Sequence, residues 1–308
     1  VSVSLPIITD GTTGYKAGYD TADWSGFVTR NELDPDTAET LSIIWDAGCI
    51  LTGGSCSSTA QTGLPARDPN TRVILTSDGT PGSGKPFRWT NLSTSQRARL
   101  NVDPTTIRLD LGTFSSDAFG QQRLDSLRGV RTNESTASPR FRARSSVLGA
   151  VIRGQPVYVS SPTTGHRDTF PAGSPEAIAA GSGFSYARYQ NDQRGRRPMV
   201  YVAANDAMLH AFDAATGREQ FAYVPNVVID NFRATKSTQV DGGLTPSVDD
   251  KPLVYDAFIN GSWRTILLGS MRLGGRGVYA IDITNPTSVT ETSRSAVPMW
   301  EFAKVPPA

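Results

Sequence analysis

Residues 79–85, Gly-Thr-Pro-Gly-Ser-Gly-Lys, carry the glycine and lysine spacing of a loop that wraps a nucleotide phosphate. Such a loop needs a Ser or Thr hydroxyl for Mg²⁺ after the lysine, and a backbone N–H at the same point; Pro86 offers neither. The flank Phe87-Arg88-Trp89-Thr90 does not open a helix, so the segment reads as a glycine-rich hairpin loop. Only His166 and His210 could serve as a histidine base. His210 stands in a strand-like run whose alternate residues are apolar, which suits a packed, hydrogen-bonded side chain. His166 lies in a Thr-Gly-His-Arg loop with no partner in the sequence. There is neither a Gly-x-Ser-x-Gly elbow nor a His-Glu-x-x-His pair, so hydrolase and zinc-protease chemistry lack their residues. Asp206, Asp213, Asp241, Asp249, Asp250 and Asp282 are spread through the second half. The Asp249-Asp250 pair alone supplies too few oxygens for a calcium cage, and all six read as turn-capping aspartates. No catalytic, cofactor-binding or metal residue is assigned.

Cys49 and Cys56 close the run Cys-Ile-Leu-Thr-Gly-Gly-Ser-Cys, where Gly53-Gly54 lets the backbone reverse. A disulfide here would stabilise by about 2.5 kcal/mol in the chain-entropy view and would imply an oxidising compartment. The alternative is a pair of buried free thiols. A zinc site would need further ligands, and no other Cys or His is near in sequence.

The elements that must position these residues are mainly β. The 308 residues include 29 glycines and 20 prolines, which favours many short strands joined by turns over long helices. The net charge of +1 would not draw the protein onto nucleic acid. The runs Arg140, Arg142, Arg144 and Arg194, Arg196, Arg197 read as solvated faces or carboxylate partners. No stretch approaches the ~20 apolar residues of a membrane helix. The N-terminus has no basic region and apolar core of the signal-peptide kind, so the chain reads as a mature or excised segment of something longer.

Residues 1–146 read as an irregular α+β portion of a propeller, with room for one or two divergent blades. It contains short strand-like runs such as Arg72–Thr76 and one helical candidate, Asp117–Leu127, ended by Arg128-Gly129. Residues 147–308 hold an internal repeat of four β segments. The first copy is Gln155–Val159, Val200–Ala203, Met208–Gly217 and Gln220–Pro225. The second is Thr245–Val248, Thr265–Gly269, Gly277–Pro286 and Met299–Phe302. Four strands in fixed order make a propeller blade, so the expected fold is mostly all-β, a partial modified β-propeller of four-stranded blades with long insertions. In each copy an aspartate bonds the turn after the third strand: Asp213, with Gly217 supplying the reversal, and Asp282. Tyr201, Phe212, Phe221, Tyr223, Tyr279, Trp300 and Phe302 recur at repeat positions and are expected to pack between blades.

The run Val200–Pro225 resembles the PilC/PilY family of type IV pilus tip proteins. So do Val240–Pro246, with Asp241 inside it, and Trp263–Leu267 through Gly274–Gly277. Shorter likenesses reach upstream: Asp23–Gly26, Phe87–Leu92, Leu127–Gly129 and Leu148–Ile152. The resemblance implies the N-terminal part of that family's C-terminal propeller, a non-catalytic module for pilus assembly, surface adhesion and twitching motility. It implies minor pilins or a pilus tip complex as partners, with a host or abiotic surface met through the parent protein. It also implies export to the periplasm, outer membrane or pilus tip of a Gram-negative bacterium. Calcium belongs to the parent family in an aspartate-rich loop that has no counterpart here, and Ala150 stands where the family usually has an aspartate, so no cofactor is expected in this segment. The Leu-His-Ala-Phe-Asp-Ala-Ala-Thr-Gly texture also resembles quinoprotein dehydrogenases, the alternative reading. A generic scaffold propeller inside the cell fits the cysteine pair less well.

Overall fold

Three sheets, antiparallel except for one added strand in the second, succeed one another along the chain and stack face to face. The computed structural model describes residues 2–3, 7–8, 12–54, 61, 63–65, 67–102, 116–135, 141–231, 233–238, 245–292 and 297–304. In the first sheet, β1 (Ser2–Val3) and β2 (Ile7–Ile8) both pair with β3 (Thr13–Tyr19), followed by β4 (Gly26–Leu33) and β5 (Thr40–Asp46). Asp46 then caps α1 (Ala47–Thr52), its carboxylate accepting from the Gly48 and Cys49 N–H groups.

The chain next forms a hairpin of β6 (Ile74–Thr76) and β7 (Lys85–Pro86), so the glycine-rich run forms the hairpin loop that the sequence predicts, with its Lys85 opening the return strand. α2 (Thr94–Asn101) begins with a Ser93/Gln96 capping box, and α3 (Asp117–Arg128) ends at Gly129 in the left-handed conformation, φ 115°. A short parallel pair, β8 (Glu134–Ser135) with β9 (Phe141–Arg142), closes this region.

The first blade is β10 (Val157–Val159), β11 (Met199–Ala204), β12 (Met208–Asp213) and β13 (Glu219–Val224). Between β10 and β11 an excursion carries α4 (Pro175–Gly181) and α5 (Tyr186–Asp192). β6 adds to β13 in parallel, so a strand from the first 146 residues extends this blade outward. After α6 (Asn226–Asp230) and α7 (Arg233–Lys236) comes the second blade: β14 (Leu253–Ile259), β15 (Ser262–Ser270), β16 (Gly277–Asp282) and β17 (Pro298–Ala303).

The pairing fixes which positions repeat. Met199 lies opposite Asp213 and Ile266 opposite Asp282, so third strands align at 282 − 213 = 69 and second strands at 266 − 199 = 67. Val159 lies opposite Met199 and Tyr255 opposite Ile266, giving 255 − 159 = 96 for the first strands. That corrects the equation of Gln155 with Thr245. Residues 245–248 are not a strand: Pro246 has no N–H to pair, and the Ser247 N–H is taken by a side chain of the first blade. Phe212 and Ile281 sit, as expected, on third strands of consecutive units.

Equivalent faces point the same way. Val200, Val202 and Phe212 of the first blade pack against Tyr15, Val28 and Trp45 of the first sheet. Leu267, Tyr279 and Ile281 of the second pack back onto Tyr201, Leu209, Phe221 and Tyr223 of the first. Burying a large apolar side chain contributes about 1.5–3 kcal/mol, and this repeated back-to-front burial holds the stack together.

Candidate functional site: the blade junction and an open blade face

The turn Asn205-Asp206-Ala207 between β11 and β12 is where all three sheets meet. Asn205 donates from Nδ2 to the Ala150 carbonyl at 3.0 Å and to Asp249 Oδ1 at 3.1 Å. Its Oδ1 accepts the Ser247 N–H at 2.8 Å, and its backbone N–H bonds the Ala150 carbonyl at 2.9 Å. Ser247 Oγ in turn accepts the Ala207 N–H at 3.1 Å. One buried amide thus holds the segments that lead into both blades. Each segment also presses on a glycine. A Cβ on Gly26 would lie 1.9 Å from the Gly149 carbonyl oxygen, and one on Gly274 would lie 1.7 Å from that of Ser247.

Behind this turn runs a buried chain of charge. Asp206 accepts the Gly149 N–H at 2.9 Å and reaches His210 Nε2 at 3.1 Å. His210 Nδ1 reaches Glu219 at 2.8 Å, and Glu219 takes a two-pronged grip from Arg72 at 2.7 and 2.8 Å. Burial would depress the His210 imidazolium, but the carboxylates of Asp206 and Glu219 raise it to about 9. Burial likewise opposes ionisation of Glu219, yet Arg72 and His210 hold its carboxyl far below the usual range. Asp206 is held low against its own burial by His210, with help from the Gly149 N–H. The charges therefore alternate: Asp206⁻, His210⁺, Glu219⁻, Arg72⁺. Both nitrogens of His210 are engaged and the ring is fully buried, so it has no means of taking a proton from a substrate. At the outer rim, Glu301 of β17 accepts from Ser77 Oγ at 2.6 Å, from the Asn226 N–H at 3.0 Å and from the Tyr223 hydroxyl.

The residues singled out in the sequence fall in several places. Asp213 accepts from the Ala215 and Thr216 N–H groups at 3.0 and 2.8 Å, and Gly217 takes φ 70° against the Trp45 ring. Asp282 accepts the Thr284 N–H at 2.9 Å and pairs with Arg264 at 2.7 Å. Cys49, in α1, is disulfide-bonded; Cys56, the only other cysteine in the sequence, lies outside the described residues, as does Asp241. Asp206 and Asp249 are not turn caps. The first is the partner of His210; the second is buried and bonds Asn205 and Arg153, the latter at 3.1 Å. Among the described residues no three His, Cys, Asp or Glu side chains gather as a metal site.

The aromatic expectation divides. Tyr201, Phe212, Phe221, Tyr223 and Tyr279 are buried between sheets. Trp300 is only half-buried and Phe302 is 70% exposed, because they lie on the forward face of the second blade. Leu253, Tyr255 and Val278 share that face and are 55%, 57% and 42% exposed. A continuous apolar sheet face left open is the molecule's most evident binding surface.

Stacked four-stranded units with equivalent faces turned the same way define a β-propeller segment. Residues 160–302 match the family described as the PilY1 beta-propeller domain. The type IV pilus biogenesis factor PilY1 of Pseudomonas aeruginosa strain PAK is 35% identical over 269 residues, 87% of this chain and 21% of the relative. A PilY1 homolog of Xylella fastidiosa is 33% identical over 224 residues, 69% of this chain and 17% of the relative. The crystal structure of the Pseudomonas aeruginosa PilY1 C-terminal domain is 31% identical, covering 47% of this chain and 25% of that one, with a TM-score of 0.32. The chain belongs to the PilY1 family. It spans about a fifth of the length of the curated relatives it matches.

Proposed function

We propose that this chain is a non-catalytic scaffold segment of a type IV pilus biogenesis factor, supporting pilus assembly and, through it, surface adhesion and twitching motility. The observation that carries the reading is the blade junction. Its His and carboxylates are spent on each other and on the backbone, while the surface left available is an apolar sheet face. Its partners on this reading are minor pilins or the pilus tip complex. The bonded Cys49 favours an exported location in the envelope or at the pilus tip. Calcium, where the parent needs it, is held outside this segment. Against the quinoprotein alternative stands the histidine at the heart of that texture, which is sealed in the core. The test is to carry Asn205→Asp in the full-length protein in its host. Loss of surface pili and of twitching, with the protein still exported, is the expected result. Pilus fractions that never contain the wild-type protein would overturn the assignment.

A further inference from the structure

We propose that residues 160–196, the excursion between β10 and β11, form a clasp that closes the first blade onto the second and opens as a unit while both blades stay folded. The excursion leaves the first blade yet spends its bonds on the second. Tyr186 Oη and Thr164 Oγ1 donate to Asp256 Oδ2 of β14 at 2.7 and 2.9 Å, and the Asp256 N–H returns a bond to Thr164 Oγ1 at 2.9 Å. Tyr189 Oη and Arg196 Nη1 each meet Thr265 Oγ1 of β15 at 2.7 Å, and Thr265 Oγ1 reaches Asp256 Oδ1 at 2.6 Å. The His166 Nε2–H donates to the Asp256 carbonyl at 2.8 Å. Around this bonded carboxylate Tyr186, His166 and Phe170 surround the Trp263 ring at 4.8, 5.0 and 5.9 Å.

Three features make the excursion separable from the blades. Its apolar residues form a small cluster with Trp263 and Phe258, distinct from both blade cores. α4 buries no residue at all. Its loops turn at Gly165, Gly173 and Gly183, with φ of 77°, 83° and 85°, where bending meets little steric resistance. The stem, by contrast, is fastened: Arg196 Nε bonds the Ser160 carbonyl at 2.6 Å and ties the two ends together. Opening would hydrate Asp256 and the hydroxyls that serve it. Much of what the broken hydrogen bonds supplied would thereby be recovered from water. Parting the apolar blade cores offers no such return. Elements with few buried apolar contacts open below the global transition, as a group.

Hydrogen exchange on the whole chain, read by mass spectrometry, tests this. Peptides spanning 164–192 should exchange together and well ahead of β11 and β12. Tyr186→Phe removes one bond to a carboxylate and should speed exchange of those peptides about tenfold, leaving β12 unchanged. Asp256→Asn should do the same, and Tyr186→Phe keeps the test available should that variant fail to fold. Exchange of 164–192 in step with β12 in the wild type, or equal acceleration of every peptide by Tyr186→Phe, would overturn the clasp.

Discussion

His210 illustrates how a residue that could do chemistry is committed to structure instead. Its ring stacks on Phe212 at 5.5 Å, between two carboxylates, and Arg72 neutralises the second of them. The consequence is a pH dependence with two limbs. His210 is raised from 6.5 to about 9, so its stabilisation is complete below about pH 6.5 and fades as pH climbs through 9. The shift corresponds to something on the order of 3 kcal/mol. Asp206 and Glu219 are lowered, so their contribution is present above the ordinary carboxylate range and fades on acidification. Urea midpoints should therefore be highest around pH 5 to 6.5 and fall on the alkaline side; His210→Gln should be less stable but lose that alkaline fall. A flat midpoint from neutrality to pH 9 in the wild type would contradict the charge chain. Asn205 makes a second residue-scale case. Placing a carboxylate there, 3.1 Å from Asp249, buries two like charges side by side, and Asn205→Asp should cost at least about 3 kcal/mol in chemical unfolding. The burial of His210 was legible in its apolar strand. Asn205, and the true roles of Asp206 and Asp249, were not, because they depend on segments some 40 to 60 positions apart meeting at one turn.

At the scale of elements, what local pattern controls was readable. The α3 helix ends at its glycine, and all four segments of the first repeat and three of the four in the second are strands, since alternation and turn residues act within a few positions. The first strand of the second repeat was displaced because Thr245–Val248 looks extended in sequence, while the spacing that matters is set by pairing with β15. The parallel addition of β6 to β13 was hidden for the same reason, as its partner lies about 150 residues on. Close packing of the bridging segments gives a sharp test. Gly274→Ala would drive a methyl into the Ser247 carbonyl and should cost more than about 2 kcal/mol, with a lower melting temperature. Gly261→Ala, at φ 80° with open space around it, should cost only the backbone strain of about 1–2 kcal/mol. If the two melt alike, the squeeze at Gly274 is not what orders the junction.

At the scale of the molecule, the forward faces of the two blades can be compared position by position. Val157, Val159, Tyr201, Leu209, Ala211, Phe221 and Tyr223 of the first correspond to Leu253, Tyr255, Leu268, Val278, Ala280, Trp300 and Phe302 of the second. The first set contributes to the core against the second blade; Leu253, Tyr255, Val278 and Phe302 in the second set lie open. Seven matched apolar positions in two consecutive sheets describe one kind of surface, and the first example shows what fits it: another antiparallel sheet turned the same way. A further four-stranded unit set on this face would continue the stack as the second blade continues the first. One substitution on this face should therefore have very different effects with the face open and with it covered. In the chain as described, Phe302→Lys removes an exposed ring and should leave stability within about 0.5 kcal/mol while reducing binding of a hydrophobic dye. Where a further sheet covers the face, the same substitution buries an unpaired ammonium in a core and should cost several kcal/mol. Urea unfolding of this chain alone and of a full-length PilY1 relative carrying the matching substitution decides it: equal effects in the two would mean that no sheet covers this face.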